Sequence, residues 1–149
     1  MRWSIAAAAL FLDSGQAQAS GGLWCDASDK AATIAINSGV TRGLGGPLFN
    51  FAGTVGVLDP SVPADLRTTL FETAHVPQYW LDGSELRLLL YRERAGNKAH
   101  GYVELTIIAK AGDDGAYEGR YTLDLFDAQG ASSEGMSWKF EGAISCGAE

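Results

Sequence analysis

The chemistry open to this chain starts from few reactive side chains: Cys25 and Cys146, His75 and His100, and carboxylates scattered in ones and twos. A thiol pair with no third ligand and no C-x-x-C spacing suits neither a metal site nor a redox motif. Its simplest product is one disulfide, Cys25–Cys146. Neither histidine sits in H-E-x-x-H or beside a second plausible ligand, so both read as isolated loop or strand-end residues. No G-x-S-x-G elbow supplies a nucleophile. The remaining route to catalysis is a site assembled from distant residues around His100 or His75.

The carboxylates favour structure over catalysis. Asp113 and Asp114 precede Gly115 without the D-x-D-x-D-G ladder of a calcium loop, which leaves a turn. Asp124 and Asp127 could imitate a glycosidase pair, but strand periodicity turns Asp124 outward and starts a loop at Asp127. Both are expected to face solvent.

A binding site is easier to imagine. HVPQYWLDG carries Tyr79 and Trp80 in what reads as an irregular segment. In YRERAGNKAH, Arg92 and Arg94 continue the face that bears Leu86, Leu88 and Leu90, so charge replaces hydrocarbon where that strand ends. If the loops at that end converge, rings and guanidinium groups form a rim for a carboxylate, a sugar or a protein loop. Charge at a strand end also blocks pairing with other chains. TRGLGGP adds Arg42 in a glycine-rich turn whose spacing matches neither a dinucleotide fingerprint nor a P-loop. The candidate set is Arg42, Tyr79, Trp80, Arg92, Arg94 and His100, with no catalytic residue, metal ligand or cofactor assigned.

The elements that must position these residues begin after a leader. Residues 1–19 combine Arg2, the largely apolar run WSIAAAALFL and the small-residue site Ala17-Gln18-Ala19. This is the pattern of a cleaved secretory signal, and the run is too short for the ~20 residues of a membrane span. Bulky Trp24 before Cys25 speaks against a lipid anchor. Cleavage leaves the net charge at −7, since Arg2 and Asp13 depart together. That charge disfavours nucleic acid and anionic lipid and favours a cationic partner. A periplasmic or extracellular monomer, oxidised at its one cysteine pair, is expected.

Residues 20–149 read as a single β domain. Period-two alternation sets Leu86, Leu88 and Leu90 on one face, then Val103, Leu105, Ile107 and Ala109, then Tyr117, Gly119, Tyr121, Leu123 and Leu125. A last run aligns Met136, Trp138, Phe140, Gly142, Ile144 and Cys146. The links AGNKA, AGDDG and AQGASSE suit tight antiparallel connections, so these four runs form a meander. Upstream, LWCD, ATIAIN and LFNFAGTVGVL look like strands, with Asp29-Lys30 turning between the first two. Residues 63–74 suit either a helix, through Pro63, Leu66 and Leu70, or a strand, through Thr68, Thr69 and Phe71; strand is preferred for residues 67–73. About eight antiparallel strands result. Glycines within strands at 53, 119 and 142 favour barrel-like closure over a two-sheet sandwich.

The function expected is that of an exported, non-catalytic protein that binds a small ligand or a partner protein. Two alternatives stand beside it: a small exported enzyme built around His100 or His75, and an inhibitor of a cationic exported enzyme such as lysozyme. Periplasmic lysozyme inhibitors are likewise small, acidic and disulfide-bonded, a similarity of class. Asp114-Gly115-Ala116-Tyr117 departs from the S-G-x-x-Y loop of one such family in spacing and serine, and no T-K-G element follows.

Overall fold

Alternating residues leave each strand with one apolar face, and the chain buries all of those faces on the inside of one curved sheet. The structure, a computed structural model, describes residues 20–41, 45–129 and 133–149; the leader and Arg42 lie outside the described residues. The elements are β1 (Ser20–Ser28), β2 (Ala32–Thr41), β3 (Leu48–Val57), one helical turn α1 (Ala64–Arg67), β4 (Thr68–Glu72), β5 (Gln78–Leu81), β6 (Glu85–Glu93), β7 (Gly101–Ala111), β8 (Tyr117–Asp127) and β9 (Met136–Ala148). The sheet order is β4-β3-β2-β1-β9-β8-β7-β6-β5, and every neighbouring pair is antiparallel.

The C-terminal meander β6–β9 follows the sequence reading in phase as well as order. Leu86, Leu88, Leu90, Val103, Leu105, Ile107, Ala109, Tyr121, Leu123 and Leu125 are all buried in one core with Ile34, Ile36, Val55 and Phe71. Toward the start of β9 the inward row opens, leaving Met136 exposed and Trp138 half-buried. The buried side chains fill the inside of the curve as one packed core.

Among the described residues nine strands appear where eight were expected, because residues 63–81 divide. Pro63 opens the single turn α1, whose Leu66 is buried, and the chain becomes extended again at Thr68. After β4 comes a short 3₁₀ turn, Thr73–His75. Glu72 and His75 cap it reciprocally, with the Glu72 N–H donating to His75 Nδ1 at 2.9 Å. The segment holding Tyr79 and Trp80, expected to be irregular, is β5. Its four residues are too few for periodicity to declare itself, and pairing with β6 supplies what local pattern could not.

With nine antiparallel strands in a row, the first and last run in the same direction. β4 and β5 are also consecutive in the chain, so they act as one interrupted strand. Its first half pairs with β3, residues 73–77 step sideways, and its second half pairs with β6. The half-barrel thus approaches closure without a continuous hydrogen-bonded seam. Side groups complete the join: the Arg92 guanidinium donates to the Leu70 carbonyl of β4, and Gly45 of the β2–β3 connection lies against the Leu81 carbonyl of β5.

The disulfide lies on the opposite side of the sheet. Cys25 and Cys146 are direct cross-strand partners of β1 and β9, with Cα atoms 4.0 Å apart, and both are buried. Among the described residues no helix is long and apolar enough to cross a membrane.

Candidate functional site

Two apolar runs break the alternation of the meander, and both breaks surface at one place. Leu88-Leu89-Leu90 in β6 and Ile107-Ile108 in β7 cannot all point inward, so Leu89 and Ile108 turn to the outer face. Register aligns Trp80 with Arg87 and Arg87 with Ile108; the adjacent row is Gln78, Leu89 and Thr106. Trp80 is 58% exposed and Ile108 49%. Together these side chains line an open groove of about 560 Å³ on the convex face of β5–β7.

The indole of Trp80 is held in place. Its Nε1 donates to Asp82 Oδ2 at 3.1 Å, while Asp82 Oδ1 accepts from the Ser84 N–H, the Ser84 hydroxyl and the Glu85 N–H at 2.7, 2.8 and 2.8 Å. These donors, Ser84 foremost, hold the Asp82 carboxyl down at about 2, so it is a fixed anion at neutral pH. The Asp82 backbone carbonyl in turn accepts from the hydroxyl of Tyr117, which ties the β5–β6 turn to the core of β8.

Trp80 and Arg87 also line a second hollow of about 380 Å³ with Asp82 and Glu85. An apolar recess and a charged recess therefore adjoin at one tryptophan. The cations around them each have a carboxylate partner, and Asp82 adds one further negative charge. Arg87 Nη2 lies 3.1 Å from Glu85 Oε1, Arg120 Nη2 lies 4.0 Å from Glu141 Oε2, and Lys110 stands in register between Glu85 and Glu118.

Against protein-family models, curated proteins and solved structures, the chain finds no match. The site has to be read from its own geometry.

The residues singled out in the sequence are placed at two ends of β6. Tyr79 neighbours Trp80 but takes the inner face, where burial raises its hydroxyl pKa. Trp80 is opposite Arg87 near the start of β6, whereas Arg92 and Arg94 lie at and just beyond its far end. Arg94 is 4% exposed; its Nε lies 2.8 Å from Asp65 and its Nη1 2.7 Å from Asp127. Lys98 reaches the same Asp65 oxygen at 3.2 Å. Asp127 is consequently buried at 6% exposure, not solvated as its position before a loop suggested; a charged partner 33 residues away decided it.

His100 lies at this same end, its ring 5.9 Å from both Tyr102 and Phe126, which stack on each other. His75 spends Nδ1 on the cap described above. Among the described residues no three His, Cys, Asp or Glu side chains gather as a metal ion would require. The groove residues Arg87, Leu89, Thr106 and Ile108 were missed from sequence, although the broken alternation at LLL and II was their visible sign.

Proposed function

We propose that this protein is an exported, non-catalytic binding protein whose recognition surface is the convex face of β5–β7. The observation that carries this reading is Trp80: a large aromatic left mostly exposed, oriented by a carboxylate, at the edge of an apolar groove. An exposed indole fixed before binding contributes contact area at small entropic cost. The packed interior supports a surface site over one in the barrel mouth. Export is supported by the leader pattern and by a disulfide of the kind that persists in oxidising compartments.

Two measurements test it. A denatured mass beginning at Ser20 and two hydrogens short is expected for exported protein; a retained leader overturns export. In a fragment screen by two-dimensional NMR, hits are expected to perturb Trp80 Nε1–H together with Gln78 and Ile108. Hits confined to the His100 end would overturn the site.

The His100 end supports a second reading, a cationic partner protein. There Tyr91, Tyr102, Phe126 and His100 stack in the company of Glu93 and Glu104, a surface suited to lysine or arginine side chains. Lysozyme activity undiminished by excess of this protein would remove the inhibitor form of that reading.

A further inference from the structure

We infer that the ligand of the Trp80 groove is a neutral carbohydrate, an inference that rests on the groove being the binding surface. Three observations on the outer face converge on that class.

The first is charge. Each cation bordering the groove is offset by a carboxylate, Arg87 by Glu85 and Arg120 by Glu141, with Lys110 set between Glu85 and Glu118. With the Asp82 carboxylate counted, four carboxylates face three cations, a near-balance with a slight negative excess that disfavours a strongly anionic ligand and leaves hydrogen-bonding groups as the main polar offer.

The second is the alternation of apolar and polar groups on a short scale. Leu89 and Ile108 are each flanked in register by a hydrogen-bonding side chain: Gln78 and Thr106 beside Leu89, Arg87 and Arg120 beside Ile108. A sugar ring has the same grain. Its C–H faces are apolar and its hydroxyl rim is polar, whereas a hydrocarbon ligand would leave these polar groups without partners.

The third is the indole. Nε1 is already engaged by Asp82, so Trp80 offers its π face rather than its donor. The adjoining recesses of about 560 and 380 Å³ are open where that residue lines them both. A sugar unit stacked on the ring would have Arg87, Gln78 and Glu85 beside it as partners for its hydroxyls.

The test is titration of the disulfide-bonded protein with short neutral oligosaccharides of glucose, mannose or N-acetylglucosamine, followed at the Trp80 indole N–H and, in variants without that indole, at the backbone N–H groups of Gln78 and Ile108. Oligogalacturonate serves as the anionic counterpart, and an uncharged extended peptide as the non-sugar control. The expected result is saturable shifts with at least one neutral oligosaccharide, weakened ten-fold or more in Trp80→Ala and unchanged in Lys139→Ala, an exposed side chain outside the groove. Peptide or oligogalacturonate binding at the same indole without neutral sugar binding would overturn the carbohydrate class and leave the groove standing. No perturbation of the indole by any probe would overturn both. Because Trp80 is exposed, Trp80→Ala is expected to fold, and Arg87→Ala provides a second variant with the same predicted direction.

Discussion

Tyr121 of β8 lies across from Gly142 of β9, and its phenol covers the bare glycine backbone while the hydroxyl donates to Asp29 Oδ2 at 2.7 Å. Asp29 uses its other oxygen to accept from the Ala31 and Ala32 N–H groups at 2.8 and 3.0 Å. One buried tyrosine thereby fixes the β1–β2 turn to the middle of the meander, and the glycine makes room for it. A methyl group at Gly142 would fall 2.2 Å from Asp29 Oδ2 and 2.5 Å from the Tyr121 ring. Gly142→Ala should cost about 1–3 kcal/mol through overpacking. Tyr121→Phe should cost about 1–2 kcal/mol through the lost hydrogen bond. Urea unfolding of both variants checks this, and the double variant should cost less than the sum because both act on one contact.

The ion cluster at the far end of β6 gives stability a defined dependence on pH. Burial is the largest single influence on Asp127 and opposes its ionisation, but the hydrogen bonds from Arg94 and the Gln129 N–H and the Arg94 charge together outweigh it, so the carboxyl titrates below its ordinary value; Asp65 does likewise with Lys98 and Arg94. A depressed carboxyl stabilises the fold above its unfolded pKa, about 3.9, and that contribution is lost as pH falls below it. Unfolding midpoints should hold between neutrality and about pH 5 and then drop. Asp127→Asn should lower the neutral plateau and flatten the acid limb, read from melts across the range.

Removing Arg94 is a different perturbation, since it strands two carboxylates, one of them buried. Arg94→Ala should cost about 3–5 kcal/mol, whereas Lys98→Ala, at an exposed pair, should cost under about 1 kcal/mol. Denaturant titration distinguishes them. A small Arg94 effect would assign that side chain to binding instead of closure.

The disulfide spans 121 residues of sequence, and in the chain-entropy account it should contribute about 4–5 kcal/mol. Reduction, or replacement of both cysteines by alanine, should lower the urea midpoint and steepen the slope, because the unlinked denatured chain exposes more surface. Far-ultraviolet circular dichroism in the absence of denaturant should retain its β signature if the core alone holds the sheet.

Asp82 should act on Trp80 without touching the ligand directly. Asp82→Ala removes the acceptor of the indole N–H and the anchor of the β5–β6 turn. The order parameter of the Trp80 indole N–H should fall towards the flexible range, below about 0.6. Stability should change less than in Arg94→Ala.

Much of this architecture was legible because period two is a strong signal in long strands. The meander and most of its inward faces follow from phase; the Cys25–Cys146 pair follows from there being two cysteines, with the phase of Cys146 in agreement. Tyr79 and Trp80 were legible as unusual but not as a strand, because β5 is four residues long and exists through its pairing with β6. Arg94 and Asp127 were legible as charges but not as a pair, since it is register that brings both to Gly101 at the start of β7. The groove was hidden because its members come from three strands, and register alone brings Trp80, Arg87 and Ile108 into one row.

The interrupted strand β4–β5 also determines how this domain could fail. Both otherwise open edges of the sheet are held by one stretch of backbone, with residues 73–77 as the crossing point. A protease cut there, or an insertion that lets the two halves drift apart, would expose the unpaired borders of β3 and β6 together. Each would then be free to recruit the detached strand of a neighbouring molecule, and the preferred wrong state would be a strand-exchanged oligomer rather than an unfolded monomer.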